Sequence, residues 1–165
     1  GKLIHKKHSD GMEEWYNTNG KCIHYKDSDG DEDWFDTNVR LIHSKWSDGS
    51  ETWYNANRDV LHRKFPDGYE EWYDTNGKCV HYKDSDGDET WYEYDANGNM
   101  VHAKDSDGYE QWWDYDSHGN ITLIRKNSSD GSEWLYDANR QLVNIKVMPC
   151  IAPQYVSINL KVSRN

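Results

Sequence analysis

Six histidines recur along this sequence at intervals of 19 or 21 residues, and evenly spaced imidazoles could bind zinc. They are His5, His24, His43, His62, His81 and His102. If each interval is one two-strand unit, equivalent histidines lie two strands apart, roughly 9–10 Å at the strand spacing of sheets. Two ligands of one zinc ion lie within about 4 Å of each other. The spacing therefore predicts a structural histidine ladder and no metal site.

Acidic segments are the second candidate for metal chemistry, and the two densest are residues 27–33 and 84–89. A calcium-binding loop needs acids at alternate positions, glycine at the sixth position and a distant bidentate glutamate. In these two segments the glycines, Gly30 and Gly87, stand at the fourth position. We interpret both segments as acidic turns, and no cofactor is predicted.

The cysteines give no sign of nucleophilic catalysis. Cys22, Cys79 and Cys150 lie in no recognisable nucleophile motif, and an odd number leaves at least one unpaired. That pattern favours a reduced, intracellular (cytoplasmic) protein. Catalytic groups must converge on one place, whereas a repeat distributes its polar residues evenly. The chain is therefore predicted not to be an enzyme.

The elements that carry these residues come from an internal repeat. An Asp-Gly pair precedes each of seven tryptophans, of which the first five are 19 residues apart: Trp15, Trp34, Trp53, Trp72, Trp91, Trp112 and Trp134. Each unit contains a strand, an Asp-Gly turn, a second strand and a second turn, often Asn-Gly. The prediction is an all-β fold, an antiparallel meander of about seven tandem β-hairpin repeats in a long twisted or rolled sheet.

The repeat occupies residues 1–146, and residues 147–165 do not continue it. Apolar side chains alternate over residues 156–162, which predicts a single strand. Repeat arrays have open ends that need covering. We expect a C-terminal capping strand; the alternative is a strand that pairs with a partner or with a second copy of the chain.

The register depends on the length of the Asp-Gly loop. With a two-residue loop at residues 10–11, Lys7 pairs with Glu14 and His5 pairs with Tyr16. Alternation then predicts a buried face that combines the tryptophans with Ile4, Ile23, Ile42, Leu61, Val80 and Val101. The histidines and lysines, with Cys22 and Cys79, would lie on the other face beside tyrosines. A longer loop would reverse one strand against the other.

Tyr-Asp motifs at residues 92–98, 113–119 and 136–139 carry a resemblance to a known family. The pattern resembles the YD repeats of RHS and teneurin-type proteins, loosely over residues 2–146 and well over 91–139. The resemblance implies hairpins that build a spiralling β-sheet. Such proteins are usually far longer and can enclose a toxin domain, so the resemblance informs the fold more than the role. MORN-type repeats are a weaker match.

Charge limits the partners. The 165 residues include 30 acidic and 19 basic side chains, for a net charge of -11. This disfavours direct binding to nucleic acid or to an anionic membrane. Aliphatic residues are few, but 9 Trp and 12 Tyr at fixed positions argue against disorder.

Positions that depart from the repeat are the candidates for a protein-binding surface, because Trp and Tyr are favoured at interface centres. Local packing explains the same departures equally well. The aromatic candidates are Trp46, Phe65, Tyr69, Tyr109 and Trp113. The acidic candidates, on the turns, are Asp29, Asp31, Asp33, Asp86 and Asp88.

The sequence leaves three functions open. The first is a non-catalytic protein-binding repeat module. The second is an acidic inhibitor or immunity-type protein, such as a phage-encoded anti-CRISPR or a toxin-neutralising protein. It would block a basic nucleic-acid-binding enzyme by imitating nucleic acid with its turns. The third is a fragment or relative of an RHS-type shell-forming toxin system. A protein partner is expected, and a homo-oligomer through the C-terminal strand stays open.

Overall fold

The computed structural model describes residues 4–146, which contain fifteen strands and no helix. No helix long and apolar enough to cross a membrane occurs within that range. The chain divides into two compact units at residues 87 and 88. The predicted capping strand in residues 147–165 lies outside the described residues.

In the first unit each strand pairs antiparallel with the next. Its strands are β1 (His5–Lys7), β2 (Glu13–Tyr16), β3 (Cys22–Lys26), β4 (Glu32–Phe35), β5 (Leu41–Lys45), β6 (Glu51–Tyr54), β7 (Val60–Lys64), β8 (Glu70–Tyr73) and β9 (Cys79–Lys83).

The second unit is built in the same way from longer strands. They are β10 (Glu89–Tyr94), β11 (Met100–Asp105), β12 (Glu110–Tyr115), β13 (Ile121–Asn127), β14 (Glu133–Asp137) and β15 (Leu142–Lys146). The predicted all-β meander of tandem hairpins is confirmed.

The Asp-Gly turns set the register. In the first of them the His8 N–H donates to the Met12 carbonyl at 2.8 Å, and the Gly11 N–H donates to the His8 carbonyl at 3.2 Å. Gly11 has a φ of +96°, whereas Asp10 is not among the residues with positive φ. A type I turn followed by a left-handed glycine is a three-residue loop with a glycine bulge.

This extra loop residue moves the pairing by one position from the prediction. His5 pairs with Trp15 and Lys7 pairs with Glu13. The predicted partners Tyr16 and Glu14 are wrong, because a two-residue loop would need positive φ at the aspartate as well as at the glycine. Histidine, tryptophan, lysine and glutamate therefore share one face, here called the Trp–His face.

The aliphatic residue of each repeat lies at a β-bulge, which is a second departure from regular pairing. Between β2 and β3, Trp15 pairs with His24 and Tyr16 with Cys22, so Ile23 lies in a β-bulge. The same bulge contains Ile42, Leu61 and Val80. Ile42 remains 39% exposed and Leu61 37%. The predicted buried face of tryptophans and aliphatics is therefore wrong, whereas the predicted placing of Cys22 and Cys79 beside tyrosines is correct.

The opposite face carries small polar residues, tyrosines and charged residues such as Asp33, Arg63 and Glu71. Ser44 and Thr52 pair across β5 and β6 and are only 6% and 5% exposed. Among residues 4–146, Ile124 is the one buried hydrophobic side chain. Contacts between neighbouring strands must therefore supply most of the stability.

The turn that joins β4 to β5, at the opposite end of the strands from the Asp-Gly turns, contains a strained residue. Val39 has a φ of +65° at the repeat position that Gly20 and Gly77 occupy with φ of +80° and +78°. A β-branched residue in the left-handed region is sterically unfavourable, and such strain costs about 1–3 kcal/mol.

Val39→Gly should therefore raise the free energy of unfolding by about 0.5–1 kcal/mol, after the entropy that glycine adds to the unfolded chain is subtracted. Urea denaturation would measure it. Thr37→Gly in the same turn lacks the positive φ to relieve and should be neutral or destabilising. Equal effects of the two substitutions would show that Val39 is not strained.

Candidate functional site

Alternating indole and imidazole rings form a continuous stack on the Trp–His face of the first unit. Neighbouring ring centroids are 4.2 to 4.7 Å apart, and the planes lie within 21° of parallel. The stack runs through His5, Trp15, His24, Trp34, His43, Trp53, His62, Trp72 and His81. Each inner ring has both faces covered by its neighbours, so only ring edges remain for a ligand.

Glutamates hydrogen-bond to the edges of the ladder histidines His5, His24, His43, His62 and His102. His5 Nε2 lies 2.8 Å from Glu13 Oε2, and Lys7 Nζ donates to Glu13 Oε1 at 2.9 Å. His24, Glu32 and Lys26 repeat this arrangement. The described residues contain no group of three or more His, Cys, Asp or Glu side chains arranged to hold a metal ion.

The lysines and histidines shift the acidity of these glutamates. Hydrogen bonds from Lys7 and then His5 hold the pKa of Glu13 below its usual 4.5. Lys104, and to a smaller extent His102, lower the pKa of Glu110 in the second unit. A depressed carboxyl pKa stabilises the fold above the unfolded-state value, and this stabilisation is lost as the pH falls through the folded-state value.

The free energy of unfolding should therefore decrease as the pH falls below about 4.5. Glu13→Gln with Glu110→Gln should weaken that dependence, measured as the urea midpoint between pH 7 and pH 3. A midpoint that stays constant down to pH 3 would contradict the assignment.

The predicted aromatic residues of the first unit lie on two neighbouring Asp-Gly turns. Trp46 begins the turn of residues 46–50, and Phe65 begins the turn of residues 65–69. The turns are in contact, since a Cβ at Gly49 would lie 3.6 Å from Pro66 Cγ. The rings of Phe65 and Tyr69 are 5.6 Å apart. We call Trp46, Phe65 and Tyr69 the aromatic patch.

The hydrogen bonding of these turns does not require the aromatic residues. In the turn that begins with Asp27, Oδ1 of that residue accepts from the N–H groups of Asp29 and Asp31 at 2.9 and 3.0 Å. In the patch turns the aspartate before the glycine takes over: Asp48 accepts from Ser50 at 2.7 Å, and Asp67 from Tyr69 at 3.0 Å. The side chain at the first turn position is therefore not needed for the hydrogen bonds of these turns.

A groove of about 340 Å³ opens between the patch turns. Trp46 and Phe65 form aromatic walls, and Thr52 and Arg63 line it with Asp48, Ser50, Glu51 and Lys64. Trp46 is 37% exposed. The Arg63 guanidinium carbon lies 5.6 Å from the centre of the Tyr73 ring. Sequence reasoning missed Arg63, although it stands where other repeats have Tyr25, Ser44 or Tyr82.

Glu71 holds the tyrosines beside the groove. Its two carboxylate oxygens accept from the hydroxyls of Tyr69, at 2.9 Å, and Tyr73. Burial raises the pKa of both tyrosines to about 12, and the hydrogen bond that each hydroxyl donates to Glu71 is the second cause. Both hydroxyls therefore remain donors at neutral pH.

The acidic candidates separate into two groups. Asp31 Oδ1 accepts from the Ser47 N–H at 2.7 Å, and Asp33 Oδ1 accepts from the Ser44 hydroxyl at 2.5 Å. These two carboxylates connect neighbouring hairpins. Asp29, Asp86 and Asp88 lie at exposed turn positions.

The remaining aromatic candidates belong to the second unit. The Tyr109 hydroxyl donates to Gln111 Oε1 at 3.4 Å. Trp113 pairs with Ile124, on the face opposite the stacked rings of Trp112 and His102.

The cysteine environments are inert. Cys22 and Cys79 are thiols, and each donates to the carbonyl two residues further on at 3.3 Å. Burial raises the pKa of both thiols, which keeps them in the less nucleophilic protonated form. Cys150 lies outside the described residues.

Comparison with known proteins supports the repeat assignment. Residues 73–110 match the RHS Repeat family, so the chain carries an RHS-type repeat and the predicted resemblance is confirmed. No curated protein sequence matches the chain.

Solved structures are similar to this chain at low sequence identity. The TCP10c domain of Drosophila melanogaster Sas-4 is 18% identical, with a TM-score of 0.54 over 84% of this chain and 94% of that domain. TcdB2-TccC3 without its hypervariable C-terminal region is 14% identical, with a TM-score of 0.37 over 84% of this chain and 9% of that one. At 18% identity, the similarity to the TCP10c domain concerns the fold alone.

Proposed function

We propose that this chain is a non-catalytic protein-binding repeat module whose partner docks on the aromatic patch. One observation carries the proposal: aromatic residues occupy two adjacent turns whose hydrogen bonds do not need them, and Trp46 is 37% exposed there. A large exposed aromatic residue without a structural role is typical of an interface centre.

The lining of the groove supports a partner that inserts an apolar side chain. Its walls are aromatic, so an apolar side chain inserted between Trp46 and Phe65 would bury their exposed surface. Arg63 and Lys64 balance Asp48 and Glu51 along its lining. Binding should therefore depend mainly on apolar contact and only weakly on salt.

Imitation of nucleic acid receives less support. Asp31 and Asp33 already accept internal hydrogen bonds, which leaves fewer carboxylates to form an anionic track. The RHS-type repeat at residues 73–110 supports a relation to RHS proteins, and in such a system the aromatic patch would contact another protein component.

The test replaces both aromatic residues with the residue that other turns carry. Trp46→Asp with Phe65→Asp restores the aspartate found at residue 27, so stability should stay within about 0.5 kcal/mol or rise. Binding of partners identified by quantitative affinity capture should weaken at least about 30-fold, as expected for hot-spot residues.

Ile42→Thr is the matched control, because Ile42 is 39% exposed but lies in a bulge away from the groove. It should leave binding unchanged. Undiminished binding of the double variant, combined with loss of binding in Asp29→Lys with Asp86→Lys, would reject the aromatic patch and favour the acidic inhibitor.

A further inference from the structure

The second unit has a slot on the face opposite the stacked rings of Trp112 and His102. Its side chains follow the same three-strand spacing as the ring stack, but the residue on the central strand has no ring. In the stack, a histidine ring lies between two tryptophans on the flanking strands, as His24 does between Trp15 and Trp34. On β12, β13 and β14 the corresponding row is Trp113, Ile124 and Tyr136. An aliphatic side chain thus stands between two aromatic residues.

The dimensions of this row suit one inserted ring. Residues two strands apart are separated by roughly 9–10 Å. A planar ring in contact with a ring on each side needs roughly 7–8 Å. Ile124 is only 5% exposed and forms the floor. The resulting pocket has a volume of about 290 Å³, at the small end for ligand sites, which fits one ring.

The lining is cationic, although the chain has a net charge of -11. Besides the row itself, Gln111, Lys126 and Arg140 line the pocket, and no carboxylate does. The Lys126 ammonium lies 5.5 Å from the centre of the Tyr136 ring. No carboxylate of the described residues lies within ion-pairing distance of Lys126 or Arg140.

The acidic residue closest to Arg140 along the chain is Asp137, and its carboxylate binds backbone N–H groups of its own turn. Asp137 begins the turn that carries Arg140, and its Oδ1 accepts from the N–H groups of Asn139 and Gln141 at 2.9 Å each. Arg140 itself has a φ of +61° and donates its N–H to the Asp137 carbonyl at 2.9 Å. Its left-handed position is where other repeats place glycine, such as Gly119 at +81°.

We propose that this pocket binds an aromatic ring bearing a negatively charged group, with the ring between Trp113 and Tyr136 and the charge at Lys126 and Arg140. A phosphorylated ring suits the two cations better than a singly charged ring, because its charge approaches −2 at neutral pH. The ring can come from a free molecule or from a phosphotyrosine side chain. This inference is independent of the aromatic patch of the first unit.

Titration of the ¹⁵N-labelled chain with phenyl phosphate tests the proposal. The Trp113 indole N–H resonance should shift, with a dissociation constant on the order of 1 mM for so small a ligand. Benzoate should bind more weakly, and inorganic phosphate should not shift the indole. No shift up to 20 mM phenyl phosphate, or equal shifts with inorganic phosphate, would overturn the proposal.

Two variants locate the site. Arg140→Gly introduces the residue preferred at that backbone conformation, so it should fold and weaken phenyl phosphate binding roughly threefold to tenfold. Arg58→Gly is the matched control, since Arg58 has a φ of +71° at the equivalent position but lies in the first unit. Equal weakening by both variants would refute the assignment.

Ile124→Phe would fill the slot with a ring of the chain itself and should abolish binding while the array stays folded. Retained binding in a folded Ile124→Phe protein would contradict the proposal. A phosphotyrosine peptide distinguishes the source of the ring. Affinity at least tenfold above that of phenyl phosphate identifies a protein side chain, and equal affinity identifies a free aromatic anion.

Discussion

Stacking between alternating indole and imidazole rings is the interaction on which the first unit depends. The described residues contain one buried hydrophobic side chain, Ile124, and it belongs to the second unit. The first unit instead has eight ring contacts at 4.2 to 4.7 Å. Aromatic pairs contribute about 0.5–1.5 kcal/mol each, so eight are comparable with the roughly 5–15 kcal/mol that stabilise a whole domain.

The stack requires one particular register, and the turns enforce it. A three-residue loop brings His5 opposite Trp15, whereas a two-residue loop would bring it opposite Tyr16. The glycine and one aspartate suffice to hold each loop. Other turn positions can therefore change without disturbing the stack, and Trp46 and Phe65 occupy two of them. In the second unit Trp113 pairs with Ile124 on the face opposite the stacked rings, and the row that contains them forms the slot above Ile124.

The sequence was sufficient to predict the hairpin repeat, its strands and its turns, because periodic Trp, His and Asp-Gly residues report directly on repeated backbone geometry. It could not decide which residues share a face. Asp-Gly suits both loop lengths, and only the observed backbone shows that the aspartate keeps a negative φ. The bulge at Ile23 was likewise invisible, since its aliphatic residue continues an apparent alternation.

The candidate site was partly predictable for a related reason. Trp46 and Phe65 depart from the repeat, and departures can be found by aligning the copies of the repeat within the chain. Arg63 departs equally, but a changed residue within a strand does not by itself indicate a binding site, because side chains on both faces of a strand vary with local packing. Asp31 and Asp33 were predicted as a protein-binding surface, yet their carboxylates connect neighbouring hairpins. Such partners depend on the register and could not be derived without it.

Nuclear Overhauser contacts of the His43 imidazole test the central claim most directly, because they report the register and the stacking together. We expect contacts from the His43 ring protons to the indole protons of both Trp34 and Trp53, whose ring centroids lie 4.5 and 4.6 Å away. Contacts to the Tyr54 ring instead, with none to either indole, would place histidine and tryptophan on different faces and contradict it.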